Sequence, residues 1–154
     1  MRRTFRVIVA GSRTATSGPT YRLLQQKLDK ILKNKSVTHD IVIVSGTASG
    51  ADLLGESYAT SRSYRVERYP ADWDTYGRRA GYLRNETMAQ NADALVALWD
   101  GESRGTQHMI NIAKEHHLPT RIINFNLHGA TNVPDLPKRQ NRNPQSPRTK
   151  RKTP

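Results

Sequence analysis

The chain predicts an α/β domain in which a doubly wound, mainly parallel sheet of about five strands carries helices on both faces. Three observations carry that prediction. Between Phe5 and Phe125, apolar runs of strand length alternate with segments whose apolar residues fall at helical spacing. Two of the runs, Asp40 to Ser45 and Ala94 to Trp99, are continuous rather than alternating, as expected of parallel strands buried on both faces. Strands end in Gly/Ser/Thr turns that pass directly into helices, the repeat that makes right-handed crossovers over a parallel sheet.

Phe5 to Ala10 is the first strand, and it runs into the polar turn Gly11-Ser12-Arg13-Thr14. Gly18-Pro19 opens a helix, since proline is tolerated in a first turn, and Tyr21, Leu24, Leu28 and Ile31 form its apolar stripe. Lys33, Asn34 and Lys35 close it. The second strand delivers the chain into Gly46-Thr47-Ala48-Ser49-Gly50-Ala51-Asp52, and a helix continues to about Arg62. Tyr64 to Tyr69 alternates, which places it nearer a sheet edge. Pro70 to Gly81 reads as a long loop holding Asp72, Trp73, Asp74, Tyr76, Arg78 and Arg79, and a loop of that length in a compact domain is usually functional. Tyr82 to Asn91 reads as a helix with Arg84, Asn85 and Glu86 in its first turns. The fourth strand, Ala94 to Trp99, breaks at Asp100-Gly101-Glu102-Ser103-Arg104-Gly105-Thr106 into a helix bearing Met109, Ile110 and Ala113, with Thr106 as its N-cap, and Thr120 to Phe125 is the last strand.

Ligands of such sheets bind beyond the carboxyl ends of the strands, where these turns lie. Glycines let an anion approach the main chain, and the first amides of a helix point at it. Gly11, Ser12, Arg13, Gly46, Gly50, Ser103, Gly105 and Thr106 are therefore the predicted phosphate cradles, although each alone also suits turn geometry. Arg84 near a helix start opposes the helix dipole, which a bound phosphate or carboxylate would offset, and Asn85 stands beside it. Asp52 suits the N-terminus of its own helix or a ligand. Trp73 and its flanking acids either staple the loop to the core or stack on a base, with a carboxylate reading ribose hydroxyls. Asp72, Asp74, Glu86 and Asp100, together with Arg84, are the candidate catalytic groups. His108 is the histidine nearest this set, and the five histidines show no metal-ligand spacing.

Five stretches in this order, Gly11-Ser12-Arg13, Ser45 to Asp52, Tyr69-Pro70-Ala71-Asp72-Trp73-Asp74, Arg84-Asn85-Glu86-Thr87-Met88 and Trp99 to Thr106, resemble one family. It is the YspA/YpsA-related group of the SLOG superfamily, a DUF2493-type set of bacterial and phage proteins, and the resemblance spans roughly residues 4 to 125. It implies a Rossmann-like domain that binds nucleotides or nucleotide-derived molecules, such as a nucleoside phosphate or an ADP-ribose-like compound, as a sensor, a sequestering protein or an enzyme. The same superfamily holds LOG-type phosphoribohydrolases acting on nucleoside monophosphates and the DNA-processing protein DprA. Arg84 matches the hydrolases' arginine, whereas Met109 stands where their motif has its glutamate. A thioether has no proton to give or take, so the N-glycosidase activity is not inherited through that motif.

No cysteine is present, which removes disulfides, thiolate catalysis and thiolate metal ligands. Neither a leader nor a membrane-length apolar span is read, so a cytoplasmic setting without a membrane partner is expected. The domain is expected over residues 1–130, as the protomer of a homo-oligomer, a dimer, and residues 131–154 as a disordered basic tail. From Pro134 that tail has seven Lys/Arg against Asp135, half of the net charge of +12. Such density also binds nucleic acid nonspecifically, with steep salt dependence.

Overall fold

The structure, a computed structural model, describes residues 2–126. The predicted basic tail lies outside the described residues. Five strands, β1 (Arg3–Gly11), β2 (His39–Ser45), β3 (Arg65–Arg68), β4 (Ala94–Trp99) and β5 (Thr120–Asn124), form one sheet in the order β3-β2-β1-β4-β5. Every pairing is parallel, with Val7 beside Ile43 on one side and beside Ala94 on the other. The alternating stretch therefore does form an edge strand, and all strands deliver their turns to one end of the sheet.

The continuous apolar runs are explained by the two cores. Alternate residues of the central strands point to opposite faces. Val7, Val9, Ile41, Ile43, Val96 and Leu98 pack with α1 (Gly18–Leu32) and α3 (Ala51–Arg62), through Leu24, Leu28, Leu32, Tyr58 and Ala59. Ile8, Ala10, Val42, Val44, Leu95 and Ala97 pack with α5 (Ala80–Gln90) and α6 (Arg104–Glu115), through Met88, Ala89, Met109, Ile110 and Ala113. Each fully buried Leu, Ile or Val contributes about 1.5–3 kcal/mol, so the two faces hold the sheet between helices on both sides. Ser17 caps α1 by accepting from the Thr20 amide at 3.2 Å, with Pro19 in the first turn.

Three boundaries differ from the sequence reading. Between α1 and β2, where the sequence predicts no element, Lys35–Thr38 forms the short helix α2. The predicted loop from Pro70 to Gly81 contains α4 (Trp73–Tyr76), a 3-10 turn (Gly77–Arg79) and the start of α5. Asp72 accepts from the Thr75 amide at 3.1 Å to begin α4, and Gly77 with φ 58° ends it. Because α5 starts at Ala80 rather than Tyr82, Arg84 lies beyond its first turn, and the predicted conflict with the helix dipole is small there. No helix among the described residues is long and apolar enough to cross a membrane.

Candidate functional site

The turns at the carboxyl ends of the strands are joined first to one another. Ser12, buried at 1 % exposure, donates its amide to the Leu98 carbonyl at 2.9 Å, and its own carbonyl accepts from Ala15 and Ala51, both at 3.2 Å. Its hydroxyl accepts from the Asp100 amide at 3.1 Å. One serine thus ties the ends of β1 and β4 to the start of α3. The glycines make this possible. A Cβ on Gly11, at φ 154°, would lie 2.0 Å from the Leu98 carbonyl oxygen, and one on Gly50, at φ 85°, would lie 2.4 Å from the Ser12 carbonyl oxygen. Gly11, Ser12 and Gly50, expected as ligand cradles or as turn formers, have their turn role in the close approach of one turn to another.

The same internal use extends to other predicted cradle groups. The Thr47 amide donates to Ser45 Oγ at 3.0 Å and the Ala48 amide to Asp52 Oδ2 at 3.1 Å. Thr47 holds φ 67°, a conformation that costs a β-branched residue on the order of 1–3 kcal/mol and concentrates at ligand sites and switches. Asp100 Oδ1 accepts from the Glu102 and Ser103 amides, both at 2.8 Å, so this carboxylate is folded into its own loop. Ser103, rather than the predicted Thr106, is the N-cap of α6, accepting from the Thr106 amide at 3.3 Å. Thr106 is buried with its hydroxyl 2.9 Å from Ser103 Oγ. Gly105 differs: it is exposed in the first turn of α6, and a Cβ there would meet nothing within 4 Å.

Side chains converge where the amides do not. Arg84, half-buried, reaches from α5 over the end of β2, donating Nη1 to the Gly46 carbonyl, and to the Tyr69 carbonyl at 3.5 Å. Its Nε donates to Asn85 Oδ1 at 3.0 Å. A Cβ on Gly46 would lie 2.6 Å from Arg84 Nη1 and 2.8 Å from Asp52 Oδ2, so a side chain there would push both groups aside. Among the described residues Arg84 forms no ion pair. Burial holds it below the ordinary arginine value; attraction to Asp52 opposes that shift and repulsion from Arg13 adds to it. Arg6 is the contrast. It lines a cleft of about 600 Å³ with Glu67, Arg68, Tyr69 and Asn91, and its guanidinium is spent on Glu67 through bonds of 2.9 and 3.1 Å.

Asn85, buried at 6 % exposure, carries the arrangement across to α6: its Nδ2 lies 3.2 Å from His108 Nδ1 and donates to the Gly105 carbonyl at 3.4 Å. Burial lowers the His108 pKa, and the Tyr82 ring sits 4.3 Å from the imidazole, centroid to centroid. Position alone, two residues past Thr106, was the sequence signal for His108; Tyr82 gave none.

The remaining candidate acids separate. Glu86 Oε2 lies 2.6 Å from His116 Nε2 and bridges α5 to α6 away from Arg84. Asp72 caps α4, and Asp74 is exposed on it. Met109 belongs to the core beneath α6, so a glutamate there would enter the core. Trp73 is not stapled into the core: it is 51 % exposed, and its indole rests against α5 at Gly81.

Asp52, read from sequence as a helix-dipole partner, is the buried carboxyl of the group, at 5 % exposure. Burial pushes it up to about 6, against the Ala48 amide and the positive charges of Arg84 and Arg13. A carboxyl raised on folding holds its proton longer in the folded state. Stability should therefore fall as pH rises from the ordinary value of 3.8 toward about 6 and level off above it. Urea unfolding of wild type and Asp52→Asn from pH 4 to 8 checks this: the slope below pH 6 should shrink in the variant. Equal slopes would contradict the burial assignment.

Comparison with known proteins comes to the same fold. Residues 5–76 match the family model described as the YspA, cpYpsA-related SLOG family. The Gene 61 protein of Mycobacterium phage D29 is 32 % identical, over 78 % of this chain and 95 % of its own length. DNA processing protein A from Streptococcus pneumoniae superposes with a TM-score of 0.57 at 15 % identity, covering 78 % of this chain and half of that one. DNA processing protein A from Helicobacter pylori, solved for its single-stranded DNA binding mode, gives 0.54 at 16 % identity, covering 83 % of this chain and 73 % of that one. At these identities the two solved structures are likenesses of fold.

Proposed function

The chain belongs to the YspA, cpYpsA-related SLOG family, and from that premise we propose that it binds a nucleotide or nucleotide-derived anion at the carboxyl ends of the parallel strands. The observation that carries this reading is Arg84, a half-buried guanidinium with neutral acceptors and no carboxylate in ion-pair range. Desolvating such a charge is costly unless something compensates it, and a phosphate would accept two parallel hydrogen bonds from it. Arg13 adds charge from the β1 turn, and the open first turn of α6 at Gly105 offers main-chain amides. This is binding without the N-glycosidase chemistry of the superfamily's hydrolases, because residue 109 is a core methionine.

The test is a calorimetric screen of the full chain with AMP, GMP, CMP, UMP, ADP-ribose and inorganic phosphate, with chromatography of each mixture for free base. Saturable binding of at least one nucleotide and no base release are expected. Binding of none would refute the reading, and base release would restore catalysis to it.

A second reading, single-stranded nucleic acid on the same face, has its own support in the exposure of Trp73, Tyr76 and Tyr82 beside Arg78 and Arg79. Stacking aromatics interleaved with cations suit unpaired bases. Oligonucleotide retention that persists without residues 131–154 and weakens steeply with salt would favour it.

A further inference from the structure

Trp73 is the largest side chain left in the open beside Arg84. Its position is built rather than incidental. Asp72 caps the single turn that carries it, Gly77 closes that turn at φ 58°, and the indole lies against α5 at a residue without a side chain. A Cβ on Gly81 would come within 3.3 Å of the Trp73 ring atom Cη2, and within 3.8 Å of Arg84 Nη2. Indole and guanidinium thus meet over the same point of α5. The edge of the six-membered ring, at Cη2 and Cζ2, lies against the helix, and half of the residue's surface remains in water.

Resting on the nucleotide reading above, we propose that the exposed face of Trp73 seats the base of the ligand while Arg84 holds its phosphate. An aromatic ring held at its edge against a helix, with half of the residue's surface open, is suited to stacking with a second flat ring. The adjacent cation, which has no carboxylate in ion-pair range, makes an anion attached to that ring its complement, which selects a nucleoside phosphate over a sugar phosphate. A sugar phosphate would satisfy Arg84 alone and leave the indole in water.

The experiment is calorimetric titration of AMP and of ribose 5-phosphate into wild type, Trp73→Ala and Trp73→Phe. Base stacking predicts AMP about tenfold tighter than ribose 5-phosphate in wild type. Trp73→Ala should erase that preference without changing ribose 5-phosphate affinity, and Trp73→Phe should keep most of it. Equal affinities in wild type, or a preference that survives Trp73→Ala, would overturn the base seat while leaving the anion site intact. If neither compound binds, the anion site falls and the base seat with it. Loss of folding in Trp73→Ala would show the indole to be a staple and would also overturn the proposal.

Discussion

Replacing Gly11 with alanine is expected to destabilise the domain by roughly 3 kcal/mol or more, a large part of the 5–15 kcal/mol that holds a typical domain folded. The new Cβ would stand 2.0 Å from the Leu98 carbonyl oxygen and 2.9 Å from the Ala51 Cβ. Neither neighbour can retreat cheaply. Leu98 lies in the central pair of β1 and β4, and its carbonyl is the acceptor for the Ser12 amide. Ala51 opens α3 on the other side of the same hydrogen-bonded serine. Gly105→Ala is the control, because nothing lies within 4 Å of its Cβ and alanine suits a helix better than glycine. Urea unfolding of the two variants should give a strongly lowered midpoint for the first and an unchanged or slightly raised one for the second. Equal midpoints would contradict the turn packing described.

Replacing Arg84 with alanine is expected to weaken nucleotide binding tenfold or more. A hydrogen bond to a charged partner is worth about 1.5–3 kcal/mol, and a bidentate one more. The loss should appear with AMP and with inorganic phosphate alike, since it acts on the anion and not on the base. Arg84→Lys should recover only part of it, because a lysine keeps the charge and loses the planar fork. A second effect follows from geometry. With the attraction of Arg84 gone, the Asp52 carboxyl should move further above about 6, which carboxyl NMR titration would detect. Unchanged affinity in Arg84→Ala would remove the anchor from the proposed site.

The strands and the end of the sheet that carries the turns were legible because continuous apolar runs can be buried on both faces only between two layers of helix. Helices α2 and α4 were not legible: four residues are too few for a 3.6-residue period to show. The glycine turns could be recognised, but not their purpose. Gly11, Gly50 and Leu98 are far apart in sequence, and their contact through Ser12 exists only after the strands pair. Arg84 stands out in the sequence through its nearness to a helix start and its match to the family's arginine, whereas the place of its guanidinium, over Gly46, exists only in the fold. The cap of α6 was misassigned because Ser103 and Thr106 offer the same hydroxyl chemistry three residues apart, and only backbone geometry separates them. Glu86 and Asp100 were legible as acids near the turns, but partners at His116 and within the 100–103 loop turn both to structural use.

The central claim is that a nucleotide anion is bound at Arg84, and titration of the isotopically labelled full chain with AMP, followed by amide and arginine side-chain NMR, tests it most directly. Saturable shifts are expected at the Arg84 guanidinium and at the amides of residues 46–49, 84–85 and 103–106, all lost in Arg84→Ala. Shifts confined to residues 131–154, or to the cleft lined by Arg6 and Glu67, would contradict it.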